Sequence, residues 1–165
     1  MATDEGIAAI ALPEEQLRYM LAQTVLTTQT AGMQFYALGY DEGCRIFEDA
    51  VDTAVDRHLP QWRVNLAVAY RDKVPSTELA KAVNESPKVA REMLSGHLTA
   101  VGTDMQTSSK SLLSQARNEV LEALFAAGSK IDRGSIDPER RAAELRDITA
   151  ERKICGFDPS SSTGA

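Results

Sequence analysis

Few side chains in this chain are able to do chemistry, and they are poorly placed for it. Its histidines are His58 and His97, and its cysteines are Cys44 and Cys155. A zinc or iron centre in a helical scaffold asks for several imidazole, thiolate or carboxylate ligands about one turn apart. Around His58 the sequence offers Asp56, with Ala54 and Val55 one turn back. Around His97 it offers Glu92, at a spacing of five. Neither makes a Glu-x-x-His or His-x-x-x-His pair, so the sequence points to no metal, no cofactor and no catalytic residue. There is no Gly-x-Ser-x-Gly, and no glycine-rich phosphate loop behind a strand. A thiol such as Cys44, set among apolar residues, is kept protonated and unreactive. Asn84-Glu85-Ser86 fits a glycosylation sequon formally, with Pro87 directly behind it.

The constellation with the spacing of a surface is acidic. Asp49, Asp52 and Asp56 recur at steps of three and four on one helical face with Arg45, and Glu48 stands beside them. Like charges one turn apart destabilise a helix by a few tenths of a kcal/mol per pair. Such a row can hold a cation weakly or receive Lys and Arg from a protein partner. It can equally be a solvated face, bridged to bases of the last helix such as Arg140, Arg141 and Arg146.

The element that must position this row is the clearest one in the sequence. Met33, Ala37, Tyr40, Cys44, Phe47, Val51, Ala54 and His58 follow one another at alternating steps of four and three. That is the spacing of a helical seam facing another helix, and it predicts a helix over about 32–58. Its inward positions include Cys44 and His58, which this spacing explains as packing residues. Gly39 and Gly43, four apart, allow a neighbour to approach closely.

Other elements follow from caps and breakers. Pro13-Glu14-Glu15 starts a helix over about 13–31. Leu59-Pro60 ends the seam helix, because the residue before proline disfavours helical geometry. A third helix runs from Pro60 to about Lys73 with Trp62, Leu66, Ala69 and Tyr70 on one face. A short one follows, from Ser76 or Thr77 to about Asn84. Ser86 and Pro87 cap and open a helical pattern reaching about Ala127, either continuous or broken near Gly102. Asp137 caps a charged last helix that ends near Lys153. Together these predict an all-α fold, an antiparallel bundle of about five to six helices. Residues 1–12 read as a flexible lead-in, 13–154 as a single helical domain, and 155–165 as a disordered tail.

Composition sets the class of partner. A chain of 165 residues with a net charge of −6 and only 5% aromatic residues fits helix-on-helix packing around small aliphatic side chains. Residues 1–58 hold ten acids against three bases, the remainder fourteen against fifteen. Nucleic acid and anionic membranes want a basic face, so neither is expected as the partner, and no run is long enough for membrane insertion. Asp4 and Glu5 stand where a signal peptide would be positive. The chain therefore reads either as cytoplasmic or as a mature exported one. In an oxidising compartment Cys44 and Cys155 can pair, worth up to roughly 4–5 kcal/mol on the chain-entropy model. In a reducing one Cys44 is a small buried apolar side chain.

Residues 70–87 carry a motif. Tyr70 is followed by Val74-Pro75-Ser76-Thr77, then Glu78-Leu79, then Ser86-Pro87. This resembles the C-terminal motif of a bacterial family of exported, all-helical proteins of unknown function, with Val74 in place of that family's phenylalanine. The resemblance implies export to the periplasm or beyond and favours a Cys44–Cys155 disulfide; it implies no activity. The expectation is a non-enzymatic helical protein that acts by binding another protein or by self-association. The alternative is a small acidic inhibitor or immunity-type protein whose carboxylates block a basic partner site.

Overall fold

A computed structural model describes residues 1–151 and 154–157, with the side chains of 147–151 left aside. Every regular element longer than one turn in this range is helical: α1 (Asp4–Ala11), α2 (Pro13–Leu26), α3 (Gln29–Leu38), α4 (Tyr40–Lys73), α5 (Ser76–Ala82), α6 (Pro87–Met93), α7 (Leu98–Ser108), α8 (Lys110–Gly128) and α9 (Pro138–Glu151). The fold is all-α. The stretch read as one domain, 13–154, divides into two compact units, and both units draw on separate segments of chain. One combines Met1–Leu17 with Asp56–Ser114; the other combines Arg18–Val55 with the described residues from Gln115 on.

Several boundaries differ from the expected ones. The lead-in 1–12 is not loose, because it contains α1. Thr3 caps that helix, its Oγ1 accepting from the Gly6 N–H at 3.0 Å, and Ile7 and Ile10 are buried. The helix expected over 13–31 stops at Leu26. There Thr24 and Thr27 donate their hydroxyls back to the carbonyls of Met20 and Gln23, at 2.7 and 3.0 Å. Such back-bonding competes with the ladder and weakens helix interiors. Thr28 then restarts the chain as α3, its Oγ1 accepting from Ala31 N at 3.2 Å.

The seam is not one helix but two. Gly39 ends α3 with φ +82° and ψ 168°, a region open essentially to glycine alone. The seam's first residue, Met33, is exposed, while Ala37, Cys44, Phe47, Val51 and Ala54 are buried. The Gly39–Gly43 spacing does serve a close approach. A Cβ added at Gly43 would stand 2.6 Å from Cδ1 of Phe35, so the ring of Phe35 lies directly on the first turns of α4 and 6.4 Å from Phe47, ring centre to ring centre.

The long helix also lies elsewhere than expected. Helix α4 runs 34 residues straight through Pro60. Proline removes one N–H and crowds the carbonyl four residues back. Here Pro60 and Asp56 are both exposed, so the orphaned carbonyl lies on the wet side of the helix. The expected 87–127 helix is instead α6, α7 and α8. They are separated by a turn over Leu94–His97 and by Ser109, whereas Gly102 sits inside α7.

Each unit has its own apolar interior. In the first, Leu17, Trp62, Leu66, Leu94 and Met105 are at most 1% exposed, each side chain contributing about 1.5–3 kcal/mol by burial. Trp62 places its ring N–H on Gln16 Oε1 at 3.2 Å, and Asn65 donates to the buried Ser109 hydroxyl at 3.1 Å. In the second, Leu21, Val25, Phe47, Val51, Val120 and Leu124 fill the interior.

Candidate functional site

Both groups of residues singled out in the sequence, the acidic row and the cysteine pair, fall largely on the first half of α4. Glu48, Asp49 and Asp52 are exposed on it, and Asp56 is exposed further along the same helix. The row is not bare. Arg45 forks onto Glu42, with contacts of 2.9 and 2.6 Å, and reaches Asp49 at 3.5 Å. The hydrogen bond from Arg45 holds the Glu42 carboxyl below its usual range, and the same bond holds the Arg45 guanidinium above its own. Asp52 is paired with Arg18 of α2. These pairs are surface pairs, with side-chain exposures of 57% at Asp52 and 74% at Asp49, and such pairs contribute little to stability.

Arg141, one of the bases offered as a bridge to the row, goes elsewhere. Its guanidinium donates to the carbonyl of Tyr36, near the end of α3, and its Nε lies 3.3 Å from Glu144. Glu144 in turn accepts from the backbone N–H of Tyr40, at the start of α4, at 2.9 Å. One turn of α9 thus places a cation on the C-terminal end of one helix and a carboxylate on the N-terminal end of the next. Both are the favoured signs for the helix dipoles. The elbow at Gly39 is capped from outside, a role that neither residue advertises in the sequence.

Cys44 and Cys155 are joined by a disulfide, their Cα atoms 5.2 Å apart across a sequence separation of 111. Beyond α9, Ile154–Phe157 form a tight turn, with Ile154 N on Phe157 O and the reverse at 3.1 and 2.9 Å. Cys155 N donates to the Tyr40 hydroxyl at 3.1 Å, and the Phe157 ring stacks on Tyr19 at 6.0 Å. The remainder of the expected tail, 158–165, lies outside the described residues.

His58 is half-buried. His97 finds Glu78 rather than Glu92, its Nε2 2.8 Å from that carboxylate, so the contact joins the turn before α7 to α5. Among the described residues no group of three or more His, Cys, Asp or Glu side chains is arranged to hold a metal ion. No described helix is long and apolar enough to cross a membrane. No family model, no curated protein and no solved structure matches the chain.

Proposed function

We propose that this is a non-enzymatic helical protein that acts by binding another protein, after export to an oxidising compartment. The observation that carries the reading is the exposed acidic face of α4, where Glu48, Asp49 and Asp52 stand in water on consecutive turns. Asp49 and Asp52 are held in surface ion pairs, and such pairs are cheap to exchange for a partner's bases. Electrostatic complementarity of this sort speeds encounter and selects the partner. The Cys44–Cys155 bond favours the export half of the reading, since disulfides persist in oxidising compartments. So does the resemblance of residues 70–87 to an exported family.

The test is affinity capture from the native host with the oxidised wild-type chain and with a Glu48→Lys/Asp49→Lys variant. The reading predicts a specific protein retained by the wild type and released by the variant. Retention of the same proteins by both would remove the acidic face from the account.

A further inference from the structure

Between α8 and α9 the chain leaves the α-helix for longer than at any other connection between the named helices. Residues 129–135 and 137–140 are exposed, with Ile136 half-buried between them. At the centre stands a short polar turn, Asp132-Arg133-Gly134-Ser135. Asp132 organises it: its Oδ1 accepts from Gly134 N at 2.9 Å, and its carbonyl accepts from Ser135 N at 3.0 Å. Ile136 N donates to Arg133 O at 3.3 Å. These bonds close within the turn, so breaking them unwinds neither α8 nor α9. Exposed loop tips built of small and polar residues are preferred sites of proteolytic nicking. The nearby base Lys130 is placed differently. Lys130 N donates to Ala127 O and Ile131 N to Gly128 O, at 3.3 and 3.2 Å, and Gly128 is buried. Reaching the bond after Lys130 means fraying the end of α8; reaching the bond after Arg133 does not.

We propose that Arg133–Gly134 is a processing site: a trypsin-class endopeptidase opens this bond in the folded chain and leaves a two-chain protein joined through Cys44–Cys155. Such an enzyme takes the arginine side chain into a pocket with an acid at its base. The residue after the cut, Gly134, has no side chain to obstruct the approach. One water is consumed. The amide C–N bond breaks, the water's hydroxyl ends on the Arg133 carboxyl carbon, and its remaining proton goes to the Gly134 nitrogen. The cut falls between two cysteines 111 residues apart, so each piece keeps one half of the disulfide. Two polar contacts also cross it, from Arg141 to the Tyr36 carbonyl and from Tyr40 N to Glu144. The buried apolar side chains of both interiors, Trp62, Leu66, Phe47 and Leu124 among them, all precede the cut. The chain is thus fastened across the connection before the connection is opened, and the two-chain form keeps its fold. This inference stands apart from the partner reading, since no residue of the acidic face takes part in it.

Brief digestion of the oxidised, full-length chain with dilute trypsin tests it, the products being weighed by mass spectrometry and run on gels with and without reductant. The expected first products are 1–133 and 134–165, running as one band without reductant and as two with it. The helical circular dichroism of the cut protein should match that of the intact one. Arg133→Gln, an exposed substitution, should slow the appearance of the two-chain form by about tenfold or more, whereas Lys130→Gln should leave its rate unchanged. A first cut at any other bond, or no cut while the chain is folded, would overturn the proposal. So would an equal rate in Arg133→Gln, or a two-chain product that loses its helical signal or separates without reductant.

Discussion

At the scale of single residues, the two glycines at the elbow and one buried tyrosine make the sharpest claims. Gly39 lies at φ +82°, and an added Cβ would stand 3.3 Å from the Arg141 guanidinium. Gly39→Ala is therefore expected to lower unfolding stability by about 1–3 kcal/mol, read as a fall in the urea midpoint without change of slope. Gly43→Ala should cost a similar amount for a different reason, overpacking against Phe35, with a typical penalty of about 1–3 kcal/mol. Tyr70 is buried on α4, and loss of water raises its phenol above the ordinary value, with the positive charge of Arg91 opposing the shift in part. A raised folded-state value means that the folded form holds the proton more tightly than the unfolded one. The associated stability is whole below about pH 10 and is lost as pH rises through the folded value. Stability curves of wild type and Tyr70→Phe should therefore run parallel at neutral pH and diverge above about pH 10, the wild type falling faster. Parallel curves throughout would contradict the burial of this hydroxyl.

At the scale of elements, α4 shows what periodicity can and cannot tell. Trp62, Leu66, Ala69 and Tyr70 were readable as a buried face because burial follows residue type and the helical period. The acidic row was readable as exposed for the same reason. The break at Gly39 was hidden because Ala37 and Tyr40 keep the period on both sides of it. Pro60 misled in the other direction. Inside a helix proline also crowds and orphans the carbonyl four residues back, and here that carbonyl belongs to exposed Asp56. Pro60→Ala should accordingly stabilise α4, by up to the roughly 3 kcal/mol that a helix-interior proline costs, seen as a higher urea midpoint. A midpoint that falls would show that the proline sets a kink the packing requires. The caps that Arg141 and Glu144 place on the elbow were not legible at all. Their partners are 105 and 104 residues away, and no local spacing encodes a contact of that range. Helix α1 was missed because eight residues are too few for a period to stand out.

At the scale of the whole molecule, an exposed acidic face on α4 occurs together with a disulfide between that helix and Cys155. Export predicts the redox state of the native protein: chain recovered from its host, with thiols alkylated at the moment of lysis, should carry no label on Cys44 or Cys155. Full labelling of both would place the protein in a reducing compartment and remove the export half of the reading. The central claim is that the first half of α4 is the face that meets a partner. It is tested most directly by the affinity of the captured partner for the oxidised wild-type chain and for Glu48→Lys/Asp49→Lys, measured across a range of salt. The account predicts that the double reversal weakens binding by about tenfold or more, which is about 1.4 kcal/mol, and that the gap narrows as salt screens it. Equal affinity of the two proteins at every salt concentration would contradict it.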